Sequence, residues 1–195
     1  MTGLDPAVDE LVEIAVIVTD SNLAPLAPGI DVVIKPSSAA LAQMGDFVTQ
    51  MHTQSGLLEV LDEGESLAEA QRQVLDYVRS LVAEPGLAPV AGNSVGQDLR
   101  FLRAYMPDLV EHFHYRVIDV STIKELAKRW FPRVSACSPE KHGGHRALGD
   151  IEDSIVELQY YRRALFPAEL DPEKGFYCRL GEAVAEEMQR QFKED

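Results

Sequence analysis

The sequence contains little cysteine and no long apolar run. Of its 195 residues only Cys137 and Cys178 are cysteines, and they are far apart and fit no metal-ligand spacing. Two such thiols do not predict a disulfide framework, so we expect a reduced, cytoplasmic setting. No apolar stretch approaches the roughly 20 residues that span a bilayer. No basic segment followed by an apolar one marks a secretory signal.

Basic residues are also scarce. The chain has 18 lysines and arginines against 32 acidic residues, which gives a formal net charge of −14. This balance argues against binding of long nucleic acids, because affinity for the phosphate backbone comes mainly from lysine and arginine. Residues 1–65 carry 11 acids and one base, whereas residues 66–165 carry 13 of each. The middle segment could therefore bind a short phosphate ligand, but a long duplex would be poorly attracted.

Turn signals and hydrophobic periodicity predict the first half of the fold. Two runs rich in β-branched residues, 13–19 and 30–34, flank a turn-rich loop and predict an antiparallel strand pair. A helix is predicted over 66–82, because Ser66 and Glu69 have capping-box spacing and a Pro-Gly pair ends the apolar pattern. Residues 36–65 predict irregular structure with short helical pieces around 39–44 and 55–61.

Strands alternate with helices in the second half. A short buried strand is predicted over 88–92, and Asn93 or Ser94 can cap the helix that follows. The remaining predicted elements are a strand over 115–121 and helices over 122–130, 147–166 and 176–192. Strands mixed with crossover helices, after an antiparallel pair, predict an α/β fold with a mixed sheet. We expect one domain over 1–166 and a polar, partly helical C-terminal extension over 167–195.

Asp98 is the first candidate for chemistry. It lies in the first turns of a helix that follows a predicted strand. An acid at this position is favourable through the helix dipole alone. It can also be a carboxylate ligand for a hard cation such as Mg²⁺, which proteins bind through one or two carboxylates plus substrate phosphates. The residues alone leave both interpretations open.

His145 and Asp150 form the second candidate. Five residues on an ideal helix do not share a face, so His145 must lie on the glycine-rich loop before the helix if the two act together. The alternative is a loop histidine beside a solvated helix acid. The spacing of His142 and His145 could suggest zinc, but no cysteine or third histidine at suitable spacing supports such a site.

Arg116 is the third candidate. It follows His114 and Tyr115 and precedes two hydroxyl residues, so it could bind a phosphate through two parallel hydrogen bonds. An ordinary surface arginine is an equal alternative. The residues by themselves therefore indicate an α/β domain with a carboxylate–metal site and an adjacent histidine.

Five segments resemble the oligoribonuclease family of DEDDh 3′→5′ exonucleases in order and spacing. They are MTGLDP (1–6), HTQSGL (52–57), GNSVGQDLRFL (92–102), HYRVIDVSTIKELAKRW (114–130) and HRALGDI (145–151). The resemblance extends from Met1 to about Ala164 and leaves the segment after Pro167 outside. It implies a ribonuclease H-like mixed sheet flanked by helices.

The resemblance implies a two-metal hydrolase. In this family four carboxylates hold two divalent cations, Mg²⁺ or Mn²⁺, and a histidine is the general base. Asp98 and Asp150 match the third and fourth acids, and His145 matches the base. Such a site activates water and stabilises the leaving 3′ oxygen, so the products are nucleoside 5′-monophosphates.

The resemblance also implies how short RNA, and dinucleotides in particular, are selected. Leu4 matches a leucine that wedges between the bases, and His52 and Ser55 lie near the 3′ nucleotide. A cap on the 5′ phosphate is implied for Ser94, Arg116, Ser121 and Thr122, with His114 and Tyr115 contributed by the partner in a homodimer. A capped site closes off longer chains, and a two-nucleotide ligand bound through metals needs no basic track.

The family pattern places its first two acids, an Asp-x-Glu, on a strand directly before MTGLD. This sequence begins at that methionine, so we expect the first central strand and both acids to be missing from these 195 residues. The chain alone is then expected to have little nuclease activity. The alternatives are a non-catalytic dinucleotide-binding dimer and a structural protein in which Asp98 and Asp150 are surface acids.

Overall fold

A computed structural model describes residues 1–141, 144–166 and 176–191 of the chain. Two sequence predictions fall at least partly outside these ranges. His142, a member of the zinc pair considered above, is one. The other is the C-terminal extension, of which residues 167–175 and 192–195 lie outside the described ranges.

The predicted antiparallel pair is present. It consists of β1 (Glu13–Val16) and β2 (Ile30–Val33), with Glu13 opposite Val33 and Ala15 opposite Asp31. Directly opposite residues of an antiparallel pair point to the same face. Glu13, Ala15 and Asp31 therefore share one face of this sheet, which places two acids side by side.

A parallel pair forms the second sheet. It consists of β3 (Pro89–Gly92) and β4 (His114–Asp119), connected by α5 (Val95–Tyr105) and α6 (Pro107–His112). Parallel strands need such a crossover, which is usually helical. The strand predicted over 88–92 is present as β3, but the prediction that it is buried is wrong, because alternate β3 residues are exposed. Within the described part of the chain nothing covers that face of β3.

The two strand pairs are separate sheets. No backbone ladder joins β1–β2 to β3–β4 among the described residues. One pair is antiparallel and the other parallel, so both pairing directions of a mixed sheet are present, and helices flank the strands. The α/β fold class predicted from the sequence is confirmed.

The main hydrophobic core lies on the β1–β2 sheet. The predicted long helix is α4 (Leu67–Leu81), and the Ser66 side chain accepts a hydrogen bond from the Glu69 N–H at its start. Its buried face packs on residues of both β1 and β2, together with one side of α5. The buried members of this core include Ile14, Val32, Val74, Val78, Leu99, Phe101 and Met106.

A smaller core joins the last helices of the domain. These are α7 (Val120–Trp130), α8 (Pro132–Ala136) and α9 (Ala147–Leu165). Val120, Ala127 and Tyr161 are buried together between α7 and α9. The N-terminal part of α9 also packs against β1, so this helix connects the second core to the first sheet.

The segment between β2 and α4 is more helical than predicted. It contains α1 (Ser38–Ala42), α2 (Asp46–Gln54), α3 (Leu57–Val60) and a single 3₁₀ turn (Leu61–Glu63). The prediction of irregular structure there is wrong for α2. Phe47, Val48 and Met51 have helical spacing, a short signal that the sequence prediction missed, and the only buried residue of α2 is His52.

The last described element is α10 (Phe176–Gln191), which lies in the segment predicted to be helical. Its side chains are exposed as far as they are described. Within residues 1–141, 144–166 and 176–191, none of the helices combines the length and the apolar character that a membrane crossing requires.

Candidate active site

The N-terminal segment holds Leu4 at the surface. The Leu4 carbonyl oxygen accepts a 2.7 Å hydrogen bond from Gln97 Nε2, next to Asp98 in α5. The Leu4 side chain is 70% exposed. Asp9 stabilises the turn, since its carboxylate accepts from the Asp5 N–H at 2.9 Å and from the Thr2 hydroxyl at 3.1 Å. An exposed leucine on a fixed backbone can contact an apolar or aromatic ligand.

Asp98 lies in the first turn of α5. Burial raises its pKa above the usual value, and the neighbouring charge of Asp119 raises it further. The side chain is exposed to solvent, and a bound cation would favour its ionised form.

Asp150 lies in the first turn of α9, and His145 lies just before that helix. Burial raises the Asp150 pKa above its usual value, and the nearby charge of His145 partly offsets this effect. His145 is exposed and adopts a left-handed backbone conformation, with φ of 62°. A non-glycine residue in this region is uncommon and is often associated with function.

Metal binding by these side chains is only partly supported by their geometry. Among residues 1–141, 144–166 and 176–191, no group of three or more histidine, cysteine, aspartate or glutamate side chains could hold a metal ion. Asp98 and Asp150 nevertheless both have raised pKa values, and two carboxylates plus substrate phosphates suffice for Mg²⁺. Carboxylate oxygens of this kind are a ligand type that suits a hard cation.

His52 and Ser55 lie together at the end of α2. His52 is buried, with Nε2 2.9 Å from the Met1 carbonyl oxygen, and the Ser55 hydroxyl donates to the His52 carbonyl at 3.3 Å. Burial lowers the His52 pKa, and the charge of His145 contributes in the same direction. The His52 ring is thus neutral near pH 7 and lies in the electrostatic neighbourhood of His145.

Ser94 and Ser121 come together where β3 and β4 end. The Ser94 N–H donates to the Ser121 hydroxyl at 2.9 Å and to the Asp119 carboxylate at 3.0 Å, and the two hydroxyl oxygens are 3.2 Å apart. Ser94 has a left-handed backbone, with φ of 56°, and makes no side-chain cap to α5. Ser94 thus occupies the predicted N-cap position of α5, but its side chain makes no capping hydrogen bond.

The other residues predicted to bind the 5′ phosphate are exposed or half-buried. Arg116 is exposed, its guanidinium lies 5.4 Å from the centre of the Tyr115 ring, and its N–H donates to His114 Nδ1 at 3.0 Å. Thr122 is exposed beside Ser121. The predicted residues therefore form two clusters, one around Ser121 at the start of α7 and one around Arg116 on β4.

Sequence reasoning missed a buried polar network next to this region. Asn93 Nδ2 donates to Glu157 Oε2 at 3.1 Å, and Asn93 Oδ1 accepts from the Ser121 hydroxyl at 3.2 Å. The Glu157 side chain is 4% exposed, and Lys124 Nζ and Lys141 Nζ lie 3.0 Å and 3.6 Å from its oxygens. The network connects Ser121 to Lys141, which lies four residues before His145 in the sequence.

Glu13 and Arg146 are the second feature that sequence reasoning missed. Arg146 Nε and Nη2 each lie 2.6 Å from Glu13 Oε1. The sequence signal for this contact is weak, because Glu13 is only a single acid in the otherwise apolar strand β1. Its partner, Arg146, is 133 residues away.

Comparison with known proteins places the chain in a family. A family model described as "Exonuclease" (RNase_T) matches residues 1–158. The chain is 58% identical to an oligoribonuclease from Leifsonia xyli subsp. xyli over 172 residues, 88% of this chain and 83% of that protein.

Two further relatives have similar coverage. An oligoribonuclease from Streptomyces griseus is 55% identical over 89% of this chain and 86% of its own length. An oligoribonuclease from Rhodococcus jostii is 52% identical over 96% of this chain and 93% of its own length. Family model and relatives cover the segments that carry Asp98, His145 and Asp150, and they agree: the chain belongs to the oligoribonuclease family of 3′→5′ exonucleases.

Proposed function

We propose that the chain hydrolyses short oligoribonucleotides, and dinucleotides in particular, from the 3′ end to nucleoside 5′-monophosphates. The observation that supports this most directly is the pairing of an exposed His145 with Asp150 at the start of α9. An imidazole ring can accept a proton, and the charge of His145 acts on Asp150, whose carboxylate is a ligand type for hard metals.

Asp98 and Asp150 would hold divalent cations, Mg²⁺ or Mn²⁺, of the kind that the exonuclease family generally uses, and we propose two of them. Bound cations supply charge stabilisation for the attacking and leaving oxygens of the in-line displacement. The chain's own contribution is the position of the two carboxylates. No three-ligand group occurs in the described ranges, so we expect these 195 residues alone to hydrolyse slowly.

His145 acts as the general base. Its ring is exposed to solvent just before α9, where it can accept a proton from an attacking water. The left-handed backbone at His145 fixes the direction in which the side chain leaves the loop. A positioned base contributes about 10²–10⁴-fold to a hydrolytic rate.

Substrate length is limited at both ends of the site. The exposed Leu4 stacks against a base, while His52 and Ser55 lie near the 3′ nucleotide. The 5′ phosphate is bound by Arg116 and by the hydroxyls of Ser94, Ser121 and Thr122. A ligand of two nucleotides needs no extended basic surface, which agrees with the net charge of −14.

A homodimer completes the 5′ side. Tyr115 is 79% exposed and Trp130 is 65% exposed, and Val117 and Ile118 of β4 are also exposed. Several large apolar side chains exposed on one strand and the helix after it favour a protein interface there. In the dimer, the partner subunit's His114 and the partner subunit's Tyr115 lie beside the bound phosphate.

A second candidate function is dinucleotide binding without cleavage, by the same dimer. It is favoured by the fact that fewer than three potential metal ligands come together within the described part of the chain. This candidate keeps Leu4, Arg116 and the serine cluster but assigns no chemical step to His145.

The two functions are separated by following a 5′-phosphorylated dinucleotide with the 195-residue chain in Mn²⁺. The proposed function predicts slow release of nucleoside 5′-monophosphates that His145→Ala and Asp150→Ala abolish. Asp62→Ala is the matched control, because the Asp62 side chain is 94% exposed and has no part in the proposed site. Tight binding without any product would favour the second function. Product formation that His145→Ala leaves unchanged would overturn the role given to this residue.

A further inference from the structure

Glu13 forms a buried ion pair that has no part in the proposed reaction. Its Oε1 lies 2.6 Å from both Nε and Nη2 of Arg146, and its side chain is 5% exposed. A buried carboxylate is costly without a partner, and a guanidinium that contacts it with two N–H groups restricts the geometry strongly. The contact therefore fixes Arg146 relative to β1.

The second oxygen of Glu13 binds the start of α9. The Ala147 N–H donates to Glu13 Oε2 at 2.8 Å. Arg146 is the N-cap residue of α9 and makes no side-chain cap of its own, so a strand residue satisfies a free N–H of the first turn. A carboxylate at this end is also favourable through the helix dipole.

Close packing restricts the same helix end. A Cβ atom added to Gly29 would lie 2.9 Å from Leu148 Cδ1 and 2.7 Å from Ile17 Cγ1. Gly29 directly precedes β2, so the first turn of α9 lies against the β1–β2 sheet with no space for a larger residue. Packing sets the distance between helix and sheet, and the Glu13 contacts set the position of the helix start on that sheet.

His145 and Asp150 are both attached to this helix start. His145 directly precedes Arg146, and the Asp150 N–H donates to the Arg146 carbonyl oxygen at 3.0 Å. A displacement of Arg146 therefore moves the base and the metal-binding acid. The structure thus connects a buried residue of β1 to two groups of the site through one arginine.

We propose that Glu13 is a positioning residue, which sets the placement of His145 and Asp150 by holding Arg146 and the first turn of α9 on the β1–β2 sheet. Its consequence for turnover rests on the proposed function. Misplacement of a catalytic group by about 1 Å can cost 10²-fold in rate. Glu13→Gln is therefore expected to lower kcat by roughly tenfold to a hundredfold with KM nearly unchanged.

The matched control is Asp31→Asn. Asp31 lies on the same face of the same sheet, and its carboxylate is 3.8 Å from Arg146 Nη2, beyond hydrogen-bonding distance. Its contact at this helix start is with the Arg146 side chain and not with the backbone of α9. Its loss is expected to change kcat by less than about threefold, which is within the usual effect of a weak, partly exposed charge pair.

Local hydrogen exchange at the Ala147 amide tests the same contact without turnover. Glu13→Gln should accelerate that exchange at least tenfold, whereas Asp31→Asn should leave it unchanged. Arg146→Lys, at the more exposed partner, gives a second variant if Glu13→Gln does not fold, and it should produce a smaller shift in the same direction. A circular dichroism spectrum of each variant verifies the fold.

A double variant decides whether the two side chains act through one contact. Glu13→Gln combined with Arg146→Met should reduce kcat no further than the larger single effect. The proposal is overturned if the effects of Glu13→Gln and Arg146→Met on kcat multiply in the double variant. It is also overturned if Glu13→Gln changes only KM, or if Glu13→Gln and Asp31→Asn have equal effects. If the wild-type chain releases no product, the proposed function fails. Hydrogen exchange at the Ala147 amide still tests the positioning role of Glu13, because exchange that Glu13→Gln leaves unchanged would contradict that role.

Discussion

The β1–β2 and β3–β4 sheets differ in how their side chains are covered. Ile14 and Val32 of the first sheet are buried in the main core, whereas four consecutive residues of β4, 115–118, are exposed. His145 and Asp150 are attached to the covered sheet through Arg146 and α9. The residues proposed to bind the 5′ phosphate lie on or beside the exposed sheet.

This difference separates two kinds of positioning. The groups proposed for chemistry are held by a contact over 133 residues of sequence, that of Glu13 with Arg146. The groups proposed for phosphate binding are held over shorter separations, because the Asp119 carboxylate accepts from the N–H of Ser121, two residues away, and from that of Ser94, 25 residues away. Asp98 follows β3 and Asp150 follows the contact with β1, so the proposed metal site needs both sheets in the correct relative position.

The largest expected effect is that of removing the proposed base, which is attached to the covered β1–β2 sheet. His145→Ala should lower the rate of hydrolysis by about 10²–10⁴-fold, because the proton acceptor is lost. Dinucleotide affinity should change less than threefold. Single-turnover cleavage and calorimetric titration measure the two quantities. A large loss of affinity would place His145 on the binding side instead.

The next effect compares the cores of the two sheets. Phe101 is fully buried in the core on β1–β2, so Phe101→Ala should reduce the free energy of unfolding by about 3–5 kcal/mol. Val117→Ala on the exposed β4 should cost at most about 0.5 kcal/mol in the monomer. Urea denaturation at low protein concentration measures both. Similar losses for the two variants would mean that β4 is covered in solution.

Removal of the arginine on the exposed sheet should affect binding. Arg116→Ala should weaken affinity for a 5′-phosphorylated dinucleotide by about 10- to 100-fold, because a hydrogen bond to a charged group contributes about 1.5–3 kcal/mol. The rate at saturating substrate should remain nearly unchanged. A dinucleotide without the 5′ phosphate is the control ligand, and its affinity should not respond to the substitution.

The smallest predicted effect concerns the network between the two regions. Burial alone would raise the Glu157 pKa, but hydrogen bonds and charges from Lys124, Asn93 and Lys141 outweigh it and leave the pKa below its usual 4.5. Folding therefore favours the ionised form. Its contribution to stability is complete above the unfolded pKa and is lost as the pH falls through the folded pKa.

Glu157→Gln should accordingly destabilise the protein by roughly 1.5 kcal/mol at pH 7, the lower end for a hydrogen bond to a charged group. The difference from wild type should shrink as the pH falls below about 4.5. Thermal unfolding between pH 7 and pH 3 measures this dependence. A difference that is independent of pH would mean that packing, and not the charge of Glu157, is responsible.

Local sequence signals predicted much of the fold. Ser66 and Glu69 predicted the start of α4, and the β-branched runs predicted β1 and β2, because those signals act over a few residues. Helix α2 was missed because its sequence signal is short and the one residue that it buries, His52, is not apolar. The roles of Glu13 and Glu157 could not be read from the sequence, because their partners in the fold are up to 133 residues away.

The most direct test of the separation between the two sheets measures binding and cleavage for His145→Ala and Arg116→Ala side by side. We predict a crossed result with a 5′-phosphorylated dinucleotide in Mn²⁺: His145→Ala loses the single-turnover rate and keeps affinity, whereas Arg116→Ala loses affinity and keeps the rate. If both variants change the same quantity by the same factor, chemistry and substrate binding are not divided between the two sheets.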